Sequence, residues 1–336
     1  MWLFRIAVYT VADLRPKIIL HLKKNDLHRD LMGWHLQLYK VLRAMAEEAG
    51  IIMEINARDT DIKVGTRAIH DGRFDDGNLH IIDDRSVCAP NVLNAGVAYF
   101  WRFWHLDAQG VKAFSSIGDQ PYHPDQMAYR RAKPFYDRMC QRYVAKRKSK
   151  YDQPQDVQTF ASGAVSVFFQ GTYPVASGAT KISDLEMLKV VLDQTGDRPI
   201  IVKPHPKAST ASDIENLKNL TWQDERVCIT GANVHDILRA SCATVSINST
   251  VALEGFLHKK PAILFGKSDF HHFTGTVSSQ QSFKEIFARE LERKDGYVQF
   301  LAWYFLKNCL SLNNGKLIPR IWDKFEDAEF PQERFD

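Results

Sequence analysis

Three short stretches of this sequence hold groups that could bind an anion and position a proton. In Lys203-Pro204-His205-Pro206-Lys207 a single imidazole stands between two prolines and two lysines. The prolines restrict the backbone on both sides of His205 and so fix where its ring points. The flanking ammonium groups suit a phosphate; a surface turn with a packed histidine is the alternative. In Ser246-Ile247-Asn248-Ser249-Thr250, Ser249 and Thr250 fall in the first turn of a helix starting near Val251. Free N–H groups, the positive end of the helix dipole and two hydroxyls make an anion site there. Plain N-capping uses the same residues, and pairing with the His205 loop on one sheet favours the phosphate. Glu254 lies one helical turn beyond Thr250 and shares its face, unless it serves a surface ion pair with a lysine. In Gln170-Gly171-Thr172, Gly171 permits close approach of the backbone to a ligand. Glycine after a strand is also ordinary turn chemistry.

Carboxylates able to act as a base cluster in three loops of the first half. These are Phe74-Asp75-Asp76-Gly77, Asp83-Asp84-Arg85, and Ser115-Ser116-Ile117-Gly118-Asp119-Gln120-Pro121. General-base work needs a carboxylate held near a hydroxyl, and neighbouring acids raise one another's pKa. Asp-Asp-Gly is equally a common turn, whereas Asp119 follows an aromatic run that would order its segment. His271 and His272 could complete the site, but no third ligand stands at a recognisable spacing, so no metal is expected. Neither GxGxxG nor GxxxxGK[ST] occurs, which excludes the usual dinucleotide and P-loop readings.

The elements that must carry these loops are plainest in the second half. VSVFFQ from Val165 reads as a buried strand, and Ser183-x-x-Glu186 is a capping box opening a helix to about Gln194. PIIVK from Pro199 is the next strand, with Ser212-x-x-Glu215 as a second capping box. Strand VCIT, helix VHDILRA, strand TVSI, helix TVALEGFLHK and strand AILFG follow. Strands alternating with helices predict a parallel, doubly wound sheet, whose ligands sit at the carboxyl ends of the strands. In the first half, residues 33–49 carry a helical period, IIMEINA and NLHIID read as strands, and the aromatic residues of 91–104 plug a core. KRKSKYDQPQD, near 146–160, is polar, holds Pro154 and reads as an exposed linker. The expected division is 1–150, 151–312, and a tail 313–336.

The 336 residues suit two domains, and 45% hydrophobic with 25% charged residues places the chain among soluble globular proteins. Five scattered cysteines exclude a disulfide framework and fit a reducing compartment. The start lacks a continuous apolar region, and Tyr297–Leu306 is far short of the ~20 residues a spanning helix needs. A cytoplasmic protein is expected. The net charge of +4 is too small to indicate nucleic acid. It is concentrated in residues 130–150, where nine Lys and Arg face Asp137 alone, with Arg138, Arg142 and Lys146 on one helical face. A solvated face and contact with an anionic membrane surface or acidic glycan explain that run equally well.

IIVKPHPK, followed by HDILRASCATVSINSTVALEGFLHKKPAILFG, resembles the C-terminal half of the bacterial capsular polysaccharide biosynthesis family, which includes Kdo transferases. The resemblance covers about residues 160–275. It implies a GT-B-like architecture of two facing Rossmann-like α/β domains, with the nucleotide-sugar donor in the second and the acceptor side in the first. It also implies a CMP-linked acidic sugar such as Kdo as donor, with no cofactor and no resident metal, and a glycan or glycolipid acceptor. On this resemblance His205 with Pro206, and Ser249 with Thr250, hold the donor's phosphate, beside Gln170, Gly171, Lys203 and Glu254. Asp76 matches the family's acidic-acidic-Gly base in letters, and Asp119 is the candidate nucleophile for retaining transfer. A nucleotide-sugar epimerase, or a non-catalytic assembly protein on the same fold, is the alternative reading.

Overall fold

The computed structural model describes residues 15–277 and 283–336, so the first residues of the chain lie outside the described part. The chain forms two compact α/β units. One comprises the chain up to Val111 together with Leu310–Asp336, and the other comprises Lys112–Cys309.

The first unit is built on β1 (Ile18–Leu22), β2 (Met53–Ala57), β3 (Leu79–Asp83), β4 (Val92–Val97) and β5 (Phe103–Asp107). The second holds β6 (Ala164–Phe168), β7 (Ile200–Lys203), β8 (Val227–Ile229), β9 (Ser241–Ser246), β10 (Ala262–Leu264) and β11 (Gly275–Thr276). A last short strand, β12 (Leu310–Ser311), returns to the first unit. The first sheet runs β12-β5-β4-β3-β1-β2. It is parallel from β4 to β2, with β5 and β12 added antiparallel at one edge. The second sheet runs β11-β10-β9-β6-β7-β8 and is parallel throughout. Both units are thus Rossmann-like, as expected, although the first sheet is parallel only in part.

Burial explains the strands. AVSVF of β6 and AIL of β10 are apolar runs buried on both faces, as a sheet covered by helices requires. Ser183 and Glu186 form the expected capping box on helix Asp184–Gln194. The second capping box is instead Thr210 with Asp213, because Thr210 takes the extended cap conformation and the helix starts at Ala211. Helices Val234–Ala240 and Val251–Leu257 follow β8 and β9. The aromatic run 91–104 becomes β4, a turn and β5, with Trp104 buried in the core and Trp101 exposed at the turn.

The division of the chain differs from the expected 150/151 boundary. Residues 112–150 belong to the second unit, where Tyr136 donates to the Leu257 carbonyl at 2.9 Å and Ser115 donates to buried Asp269 at 2.6 Å. The tail joins the first unit, placing Leu317, Ile321, Phe325 and Phe330 in its core.

The stretch read as an exposed linker is a strap fastened to the start of helix Val234–Ala240. Asp236 is buried and needs a cation, which Arg147 supplies at 2.7 Å while the Gln158 N–H donates to the same oxygen at 3.0 Å. Asn233 donates to the carbonyls of Arg147 and Pro154, and the Val234 N–H donates to the Gln153 side chain. The basic run is accordingly not one continuous face. Helix Tyr129–Met139 passes into a π-helical turn at Cys140–Val144, which breaks the four-residue register of Arg138, Arg142 and Lys146.

Arg147→Ala leaves buried Asp236 with only the exposed Arg239, at 3.9 Å, as a cation. Urea unfolding of that variant is expected to show a loss of about 3 kcal/mol, the scale of a broken buried pair. A loss below about 0.5 kcal/mol, typical of surface changes, would contradict the strap's role.

Candidate functional site

The loops leaving β6, β9 and β10 are tied together by the side chains of Gln170 and Asn248, and a buried acid holds the first of them. Gln170, two residues past β6, donates from Nε2 to Asn248 Oδ1 at 2.9 Å and accepts the Asn248 N–H at 2.8 Å. Asn248 in turn donates to the Lys267 carbonyl at 2.9 Å. The main-chain N–H groups of Gln170 and Gly171 both donate to Asp184 Oδ2, at 2.8 and 2.7 Å. Burial pushes Asp184 up to about 6, against the downward pull of those two N–H groups. Gly171 has φ +68°, and a Cβ there would lie 2.7 Å from the Ala208 carbonyl oxygen. Its small size therefore serves the approach of the His205 loop, and its N–H is already engaged, so it is not the open ligand approach expected from the sequence.

His205 follows β7 and is half-buried. Its main-chain N–H donates to Ser209 Oγ at 2.8 Å, and the Lys207 main-chain N–H donates to its Nδ1 at 3.1 Å. An Nδ1 that accepts leaves the proton of the neutral ring on Nε2. Burial, then Lys150 and Lys207, hold the His205 pKa below the ordinary histidine value. The ring packs edge-on against Tyr151, with centroids 5.2 Å apart, and Lys150 and Lys207 lie over that same phenol ring. The result is a neutral N–H donor in a positive field. Pro206 sits at the exposed turn. Lys203 points elsewhere: its ammonium donates to the carbonyls of Gly231 and Ala232, at 2.9 and 2.5 Å.

Ser249 and Thr250 follow β9 at the entry to helix Val251–Leu257, both partly exposed. Ser249 accepts the Val251 N–H at 3.3 Å, and the Ser249 N–H donates to Ser246 Oγ at 3.1 Å, so part of this loop does cap its helix. Glu254 is no surface residue. It is 1% exposed, with Oε1 accepting from Ser149 at 2.5 Å and Oε2 buried without a hydrogen bond. Burial pushes its pKa up to about 7, with Ser149, Lys150 and Lys203 acting in the opposite direction. The sequence marks Lys150 only as one cation of the 130–150 run, and it marks neither Ser149 nor Tyr151, because they lie in the polar strap. They bring Glu254 and His205 under one charge field.

The two candidate carboxylates of the first half fall in different units. Asp119 is in the second unit, exposed at the end of the turn Ser116–Asp119. Its charge acts on His272, which burial and then His271 push down to about 4. Asp76 is in the first unit, in the loop entering β3. That is the amino end of the strand, opposite the end where parallel sheets bind ligands. Its carboxylate accepts from the main-chain and side-chain N–H of Asn78 and meets His80 Nε2, all at 2.9 Å. Burial works upward on Asp76, but His80 and Asn78 outweigh it and hold the carboxyl below the ordinary range. Asp83-Asp84 occupies the carboxyl end of β3 instead.

Residues 163–305 match the model of a family described as capsule polysaccharide biosynthesis protein. The match covers less than half of the 336-residue chain. No curated protein matches the sequence. Among solved structures, the chain is similar to Thermosulfurimonas dismutans KpsC, beta Kdo 2,4 transferase, at 13% identity and TM-score 0.49, covering 89% of this chain and 93% of that one. The beta Kdo 2,7 transferase of the same KpsC matches at 13% identity and TM-score 0.49, covering 94% and 99%. The Methanocaldococcus jannaschii UDP-GlcNAc 2-epimerase matches at 10% identity and TM-score 0.35, covering 87% and 99%. Likeness at this level carries no functional inference. The matched residues 163–305 include Gln170, His205, Ser249, Thr250 and Glu254, and they exclude Asp76, Asp119 and the strap.

A buried acid with a raised pKa makes folding pH-dependent. Between its unfolded value near 4.5 and its folded value near 7, Glu254 binds more proton when folded, so stability falls as pH rises through that window. Wild type is expected to lose on the order of 3 kcal/mol relative to Glu254→Gln between pH 4.5 and 8. Parallel stability profiles for the two proteins would show that Glu254 titrates as an ordinary carboxylate.

Proposed function

We propose that this chain is a nucleotide-sugar-dependent glycosyltransferase of cell-surface polysaccharide synthesis, with its donor at the carboxyl end of the second unit's sheet. The observation that carries this reading is His205, which lies within the matched residues 163–305 and is fixed as an Nε2–H donor between Lys150 and Lys207. A CMP-linked acidic sugar such as Kdo is the proposed donor, and a glycan or glycolipid is the proposed acceptor.

In such a transfer the bond between the anomeric carbon and the phosphate oxygen breaks, and CMP departs with the electron pair. A bond to the acceptor oxygen forms, and the acceptor's proton passes to a base. Charge develops on the departing phosphate, where a preorganised N–H donor in a positive field is most effective. His205 supplies that donor, and the hydroxyls of Ser249 and Thr250 complete the phosphate's surroundings. This scheme needs no resident metal, because protein cations balance the leaving group. Lys203 acts indirectly, holding the 231–232 backbone and lending its charge to Glu254. Asp119, exposed and on the same unit as His205, is the proposed carboxylate of the transfer. Asp76 is the weaker candidate, since its oxygens are engaged by Asn78 and His80.

No helix of the described residues is long and apolar enough to cross a membrane. The exposed cations Arg130, Arg131, Arg138 and Lys146 suit peripheral attachment to an anionic membrane surface on the cytoplasmic side.

The test is a thermal-shift panel of CMP, UDP and GDP on wild type and His205→Ala, followed by transfer assays. CMP is expected to stabilise wild type by about 2.7 kcal/mol at a hundredfold excess over Kd. His205→Ala should lose that shift and at least about tenfold in transfer. Wild-type behaviour in the variant removes His205 from the mechanism. Conversion of a UDP-sugar without acceptor would indicate an epimerase, and silence toward all three nucleotides a non-catalytic protein.

A further inference from the structure

The carboxyl end of the first unit's parallel strands carries a feature that the donor site does not use. Trp34, in the loop between β1 and helix Gln37–Glu48, stacks on Trp101, in the turn between β4 and β5. The two indoles are parallel to within 5°, with centroids 5.7 Å apart, yet they remain 39% and 40% exposed. Because β3 lies between β1 and β4, this stack draws loop 23–36 across the carboxyl end of β3, where Lys23 pairs with Asp84 at 3.6 Å. Ligands of parallel sheets bind at this end.

Both supporting loops hold their tryptophans through strained backbone. Asp30 and Leu31 have φ +43° and +55° in one, and Tyr99 and Arg102 have φ +62° and +74° in the other. Non-glycine residues at positive φ are uncommon and persist where the surroundings fix them. A fold that strains four residues to keep two indoles in water is presenting them.

The two loops that carry them hold exposed cations. Lys24, Arg29 and Arg102 are exposed, whereas Asp26 is buried under Arg29 and His35, and Asp30 is neutralised by Arg43. Flat apolar rings bordered by cations and a Lys–Asp pair match the apolar faces, hydroxyls and carboxylates of an acidic pyranose chain.

We propose that Trp34 and Trp101 form a binding platform for an acidic glycan on the first unit. The proposal rests on the glycosyltransferase reading. A membrane surface is the competing occupant of exposed tryptophans near lysines. It fits less well, because the indoles stack on each other at a strand-end ligand position rather than splaying outward.

The test uses α2,8-linked sialic acid oligomers as the acidic pyranose probe and maltohexaose as the neutral one, with phosphatidylglycerol vesicles and CMP as separate arms. Calorimetry should show the sialic acid oligomer binding wild type more tightly than maltohexaose. Trp34→Ala and Trp101→Ala should each weaken that binding about threefold to tenfold, the scale of one aromatic contact, while Trp101→Phe keeps most of it. The CMP thermal shift should be unchanged in all three variants. Unaltered oligomer affinity in the alanine variants, no oligomer binding by wild type, or loss of vesicle binding alone would overturn the platform. Loss of oligomer binding with the CMP shift intact in wild type contradicts only this platform, whereas a wild type blind to both contradicts the transferase reading itself.

Discussion

The two hydrogen bonds between the Gln170 side chain and Asn248 hold the second unit's strand ends in register. A parallel sheet leaves each strand's exit loop free to wander, because the backbone ladder stops at the last paired residue. Here the central strand exit, after β6, binds the exit after β9 through this amide pair, while Asp184 gathers the N–H groups of Gln170 and Gly171. Gly171 then lets Ala208 approach, and the His205 loop is set against the same centre. Without this bracket the imidazole and the Ser249 loop would sit at strand ends with no fixed relation to each other.

The strap adds the charge that the bracket lacks. Its anchorage is electrostatic, Arg147 on buried Asp236, and its next residues are delivered inward as a consequence. Ser149 reaches Glu254, and Lys150 and Tyr151 reach the surroundings of His205. One ion pair remote from the chemistry thereby positions the cationic field in which His205 stays neutral. A neutral imidazole flanked by lysines can donate a hydrogen bond without adding a titrating charge of its own. That is the property a departing phosphate rewards.

Much of this was legible in the residues. The alternation of buried strands with capped helices gave the parallel sheet, and the carboxyl-end rule then selected the loops of Gln170, His205 and Ser249. The strap was not legible, because its polar composition is that of a linker and its partners, Asn233 and Asp236, lie about 80 residues downstream. The discontinuous first unit was hidden for a similar reason, since it depends on a two-residue strand, β12, pairing with β5. Asp76 shows the limit of matching letters, because the Asp-Asp-Gly loop enters β3 rather than leaving it. Gly171 shows the limit of reading a residue type, because the room it makes is filled by the protein itself.

The central claim is that His205 stands ready as a neutral Nε2–H donor to a nucleotide phosphate. The most direct measurement is nitrogen-15 NMR of labelled histidines, with His205 assigned by comparison to His205→Asn and titrated with CMP across pH 5 to 8. The account predicts an unprotonated Nδ1, a pKa below the ordinary histidine value, and a shift of Nε2 when CMP is added. A proton on Nδ1, or an Nε2 resonance indifferent to CMP, would contradict it.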